Sequence, residues 1–106
     1  MSIHWWALVL AGVFEIAWAA GFKFAFRSNH LISAAVVTAM AASFYFLWFA
    51  MRAIPIGTAY AVWTGIGAAG AATIGLLFLG EPATALRLIC ITLIIAGVVG
   101  LKIAAG

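Results

Sequence analysis

The chain has 106 residues, of which 69% are hydrophobic and 7% are charged. A soluble domain covers its surface with about a quarter charged residues, so the five Lys or Arg and two Asp or Glu of this chain exclude that class. The lipid bilayer is therefore the expected solvent. The cations form no basic run, which also excludes a nucleic-acid-binding surface.

Long stretches without charge predict the helices. A helix needs ~20 mostly apolar residues to cross a bilayer, and residues 28–51 and 53–80 contain no charged residue. In chain order, we expect helices over residues 3–22, 30–51, 55–79 and 84–103, joined by short connections. Pro55 suits the first turn of the third helix, and Gly80 before Glu81 and Pro82 is typical of a helix end. The predicted fold is an all-α membrane protein, with residues 1–106 forming a single domain of four transmembrane helices.

The cations are distributed almost evenly between the two sides of the membrane. An even number of spans places both termini on one side, so the positive-inside rule can be applied by counting. Lys23, Arg27 and Arg87 fall on one face, whereas Arg52, Lys102 and the amino terminus fall on the other. This balance allows insertion in both orientations and pairing as an antiparallel dimer. A single orientation fixed by another factor is equally compatible with the count.

The fourth predicted helix carries small residues suited to contact between copies. Ala96, Gly97 and Gly100 have the three- and four-residue spacing that lets helix backbones approach closely in lipid. We treat them as candidates for a dimer contact. Packing within one chain explains them equally well.

Glu15 is the charged residue that lies farthest inside a predicted span. An ionisable side chain at that depth costs ~2.5 kcal/mol or more, and no Lys or Arg lies deep in any span to act as a counter-ion. We expect Glu15 to face a partner helix or a water-filled cavity and to hold a proton that an entering cation displaces. Such competition is a physical route to exchange of protons for cations. The alternative is a protonated Glu15 that hydrogen-bonds across a helix interface.

Residues near Glu15 on the first helix suit a cation site. Gly12 and Trp18 lie three residues on either side of it and share nearly the same helix face. Gly12 leaves room beside the carboxylate, and the Trp18 indole can donate a hydrogen bond or present its π-face to a cation.

The second and third helices supply further candidates. Tyr60 and Trp63 are also three residues apart, and both are aromatic side chains with a polar group. Ordinary packing is the alternative. Ser43 can hydrogen-bond a carboxylate or bond back to its own helix. Gly65 and Gly67 permit a bend in the third helix, with close helix packing as the alternative.

Several motifs resemble the small multidrug resistance family over essentially the whole chain. They are Gly12-Val13-Phe14-Glu15-Ile16-Ala17-Trp18, the run PIGTAYAVWTGIG at residues 55–67, the Gly-Glu-Pro turn and the final GVVGLK at residues 97–102. Residues 63–67 and the terminal Gly-Leu-Lys are more similar to the guanidinium-exporter subtype than to the subtype that exports polyaromatic drugs.

This resemblance implies a multi-pass protein of the bacterial inner membrane that forms an antiparallel, dual-topology homodimer. It implies export of guanidinium-type cations in exchange for protons, with Glu15 of both subunits binding proton and substrate. By the same resemblance, a set of residues would line or order the site: Gly12, Trp18, Ser43, Tyr60 and Trp63. Gly65 and Gly67 would bend the third helix.

Two other functions stay open at this point. One is a broader proton antiporter for quaternary ammonium cations on the same scaffold, and the other is a non-transporting membrane assembly or regulatory subunit. An enzyme is not expected, because the sequence shows no catalytic nucleophile paired with a general base and no phosphate-binding glycine loop. We expect neither a cofactor nor a metal site, since Cys90 is the one cysteine.

Overall fold

The computed structural model describes residues 2–23 and 30–105, and this part of the chain forms four α-helices. They are α1 (Ile3–Phe22), α2 (His30–Met51), α3 (Ile56–Phe78) and α4 (Ala85–Ala105). All four are long and apolar enough to cross a membrane, which confirms the predicted set of spanning helices. The first connection is expected at residues 23–29, and its residues 24–29, with Arg27, lie outside the described part of the chain.

Local backbone chemistry accounts for the helix ends. Ser2 caps α1, because its hydroxyl accepts a hydrogen bond of 3.4 Å from the Trp5 N–H. Pro55 precedes α3 with ψ 144°, so this helix begins one residue later than expected. After α3 the chain reverses at Gly80, whose φ of +69° is a left-handed conformation that glycine adopts without strain.

The helices form a three-helix unit with a fourth helix at its side. α1 packs against both α2 and α3, and in the described part of the chain α4 packs mainly against α3. The buried core lies between the first three helices and includes Leu8, Ala11, Leu47, Val62 and Trp63. α4 buries none of its residues.

The small residues of α4 face open space. Ala96, Gly97 and Gly100 are all exposed, and a Cβ atom added to Gly97 or Gly100 would meet nothing within 4 Å. The packing within one chain that the sequence left open is therefore not observed among the described residues. Contact between copies at these positions stays a prediction.

Candidate functional site

Glu15 projects from the middle of α1 toward α3. Its carboxylate lies directly against the backbone of Gly67, which is buried, and a Cβ atom at Gly67 would overlap it. Every residue other than glycine carries a Cβ atom, so this close approach requires a glycine at position 67. The contact places a carboxylate at the interface of two membrane-spanning helices.

The Glu15 carboxylate has no protein partner within the described parts of the chain. The ion pair found there joins Arg87 to Glu81, and no hydrogen bond reaches the Glu15 oxygens. The interhelical hydrogen bond that would make Glu15 a structural residue is therefore missing from the described residues. The carboxylate keeps its full capacity to accept a proton or a cation.

A chain of two hydrogen bonds joins α1, α2 and α3 next to this carboxylate. The Trp63 indole N–H donates to Ser43 Oγ at 2.9 Å, and the Ser43 hydroxyl donates to the Ala11 carbonyl at 2.7 Å. Ser43 is completely buried. Because an α-helix pairs each residue with the one four positions earlier, Ala11 lies one turn before Glu15. Ser43 thus bonds neither the carboxylate nor its own helix, and instead holds the turn of α1 that carries Glu15.

Four aromatic rings form a continuous series beside these bonds. The centroid of Phe44 lies 6.5 Å from that of Trp18 and 5.9 Å from that of Trp63, and Tyr60 lies 5.5 Å from Trp63. We call this series the aromatic arc. It brings together the three aromatic residues expected from the sequence. Phe44 was not expected, because it is one of several neighbouring aromatic residues of α2.

The Trp18 indole contributes an unused hydrogen-bond donor. Its Nε1 is buried and has no partner among the described residues. A buried donor without an acceptor costs about 1–3 kcal/mol, so an acceptor supplied from outside this chain would remove that cost. By contrast, the Trp63 donor is already used by Ser43.

The glycines of α1 and α3 admit neighbouring side chains. A Cβ atom at Gly12 would lie 2.5 Å from the Ile66 side chain, so the space expected beside the carboxylate at Gly12 is filled by Ile66, and Gly67 leaves that space instead. Gly65 admits Val98 of α4. α3 runs as one helix from Ile56 to Phe78, and a functional bend at Gly65 and Gly67 stays a prediction.

Comparison with known proteins identifies the family. The sequence profile described as "Small Multidrug Resistance protein" matches residues 3–94. The protein named "Guanidinium exporter" of Yersinia pseudotuberculosis is 48% identical over 101 residues, which are 94% of this chain and 97% of that protein. Those of the same name from Salmonella typhimurium and Escherichia coli K12 are 47% identical over 104 residues and 48% identical over 102 residues. These alignments cover 97% and 95% of this chain, and 99% and 97% of the relatives. With its four helices able to cross a membrane, this multi-pass membrane protein belongs to the small multidrug resistance family.

Proposed function

We propose that the chain exports guanidinium and small substituted guanidinium cations across the bacterial inner membrane in exchange for protons. The observation that carries the proposal is the Glu15 carboxylate, which lies against Gly67 without a counter-ion in the described chain. The names of relatives that are 47–48% identical over nearly the whole chain support the choice of substrate.

The chemistry of the site suits a small planar cation. Guanidinium carries N–H donors in a rigid fork that matches the two oxygens of a carboxylate. Its flat faces stack on aromatic rings, and the aromatic arc offers such faces at Phe44 and Tyr60, which are 47% and 55% exposed. Glu15 would supply the acceptors, and the aromatic arc would supply the flanking surface.

Coupling to protons follows from competition for Glu15. The ionised carboxylate attracts a cation, whereas the protonated carboxyl group has no charge with which to hold one. Binding of either ion therefore expels the other, and a proton gradient directed into the cell drives guanidinium outward. Where two copies of Glu15 share a site, their titration belongs to the pair.

An antiparallel homodimer is part of the proposal. The balanced cations allow insertion in both orientations. α4 buries no residue within its own chain, so it has a whole apolar face available for a second copy. Ala96, Gly97 and Gly100 would allow close approach on that face.

A broader exporter of quaternary ammonium cations is the second candidate, and the exposed rings of the aromatic arc favour it. Such cations have no N–H group, so their binding depends on aromatic faces more than on a carboxylate fork.

Transport into liposomes separates the candidates. Purified protein is reconstituted with a proton gradient, and uptake of guanidinium is compared with uptake of tetramethylammonium. We expect guanidinium to be preferred and Glu15→Gln to abolish coupled transport of both ions. Glu81→Gln is the matched control, because it removes the other acidic side chain, which pairs with Arg87 away from Glu15, and should transport normally. Coupled guanidinium transport by Glu15→Gln would remove Glu15 from the mechanism, and a preference for tetramethylammonium would favour the second candidate.

A further inference from the structure

A groove on the exposed side of the α1 and α2 pair ends beside a cation. The groove has a volume of about 290 Å³, and its walls include Trp6, Leu10, Tyr45 and Phe49. Trp6 is 57% exposed and Tyr45 58% exposed. Both helices are long enough to cross a membrane, so a groove between them faces the acyl chains of the bilayer unless another protein covers it.

Arg52 lies at one end of this groove. It directly follows the last residue of α2 and is exposed. Its guanidinium carbon lies 5.5 Å from the centre of the Trp48 ring and 5.9 Å from the centre of the Phe49 ring, and Phe49 lines the groove. Phe49 also stacks on His4 of α1, with ring centroids 4.9 Å apart. The guanidinium is therefore held where α2 leaves the membrane.

No acidic side chain of this protein neutralises Arg52. The chain has two acidic residues, Glu15 and Glu81. Glu15 lies in the middle of α1, and Glu81 follows α3 at the opposite end of the bundle, where it pairs with Arg87 at 3.3 Å. The two ends of a 20-residue helix are ~30 Å apart. Aromatic rings attract a cation but carry no net charge, so the exposed Arg52 guanidinium keeps its positive charge and can bind an anionic group of another molecule.

We propose that Arg52 and the groove bind one anionic phospholipid, with its phosphate on the Arg52 guanidinium and one acyl chain between α1 and α2. A guanidinium group binds phosphate oxygens in a bidentate manner. Basic residues at the ends of membrane-spanning helices attract anionic head groups, and Trp and Tyr side chains favour the level of those head groups. This site does not involve Glu15, so it stands whether or not the chain transports guanidinium.

Native mass spectrometry of the purified protein tests the head-group contact. The protein is incubated with equal amounts of phosphatidylglycerol and phosphatidylcholine that have identical acyl chains, and the two bound lipids are counted. We expect bound phosphatidylglycerol to exceed phosphatidylcholine roughly fivefold, the effect of about one basic residue at an anionic surface. Arg52→Gln should bring the ratio close to one.

Lys102→Gln is the matched control for charge. Lys102 is a cation at the same end of the bundle, 4.9 Å from the ring centre of Trp5 and outside the groove. This variant should keep the lipid preference of the unaltered protein. An equal loss in both variants would assign the preference to general surface charge and overturn the proposal, as would a preference that survives in Arg52→Gln.

Filling the groove tests the acyl-chain contact. Leu10→Trp should lower the amount of both bound lipids, whereas Val13→Trp, on an exposed part of α1 outside the groove, should not. If Leu10→Trp does not fold, Tyr45→Ala removes a wall of the groove and should lower lipid binding in the same way. Equal lipid binding by the Leu10 and Val13 variants contradicts the proposal. So does dissociation of a dimer by Leu10→Trp, because the groove would then belong to a subunit interface.

Discussion

The Glu15 carboxylate and the backbone of Gly67 are in direct contact, and this contact joins the middle of α1 to α3. The glycine provides the space in which the carboxylate lies. A carboxylate with no partner among the described residues, at an interface between two membrane-spanning helices, is the basis of the function proposed for this chain.

Replacing this glycine should displace the carboxylate. We expect Gly67→Ala to weaken guanidinium binding by about tenfold, or ~1.4 kcal/mol, because the new Cβ atom occupies the position of the carboxylate. Binding is measured by titration calorimetry on purified protein. Gly57→Ala is the control on the same helix, since its Cβ atom would meet nothing within 4 Å. Equal guanidinium affinity in the two variants would show that the Gly67 contact does not position the site.

Removing the Ser43 hydroxyl should destabilise the three-helix unit. Ser43→Ala leaves the Trp63 Nε1 without its acceptor and frees the Ala11 carbonyl, which should lower the free energy of unfolding by about 1–3 kcal/mol. Unfolding is followed in detergent by tryptophan fluorescence. Thr38→Ala is the control, because the exposed Thr38 hydroxyl bonds to Ala34 of its own helix. A loss of stability no larger than that of Thr38→Ala contradicts the role given to Ser43.

Ser43 and Trp63 should also behave as one unit. Trp63→Phe keeps an aromatic ring but removes the donor to Ser43, so the double variant Ser43→Ala with Trp63→Phe should lose less stability than the two single losses added together. We expect the difference to be about 0.5–3 kcal/mol, as for residues that share a hydrogen bond. Strictly additive losses in the same unfolding measurement argue against the chain of bonds.

The Phe44 ring should matter for binding, because it links Trp18 to Trp63 in the aromatic arc. Phe44→Leu keeps an apolar side chain but removes a π-face, which is worth about 0.5–2 kcal/mol to a bound cation. Guanidinium affinity should fall by about 2- to 30-fold in calorimetry. Phe78→Leu, at an exposed position near the end of α3, should bind normally. Unchanged affinity in Phe44→Leu would exclude this ring from the site.

The four helices could be predicted from sequence because a mostly apolar stretch of about 20 residues is long enough to cross a bilayer as a helix. Glu15 could also be identified from sequence, because an ionisable side chain inside a span is costly however the helices pack against each other. The contact of Gly67 with Glu15 could not be predicted, because it depends on how α3 is rotated against α1. The same rotation brings Ile66 to Gly12 and fills the space that sequence placed beside the carboxylate.

The Ser43 bond shows a similar limit. A buried hydroxyl in a membrane-spanning helix is known from sequence to need a partner, but its partner here is a backbone carbonyl of another helix. Every residue of α1 carries such a carbonyl, so residue types do not distinguish Ala11 from its neighbours. Phe44 was missed because an aromatic run gives no sign of which ring lies between Trp18 and Trp63.

Proton release on guanidinium binding shows directly whether the two ions compete for Glu15. Guanidinium chloride is added to purified protein in weakly buffered detergent solution, at several starting pH values, and the pH change is recorded. We expect the unaltered protein to release protons as guanidinium binds, and its guanidinium affinity to fall as the pH is lowered. Glu15→Gln should release none. Guanidinium binding without proton release by the unaltered protein, or equal release by Glu15→Gln, would contradict competition for Glu15.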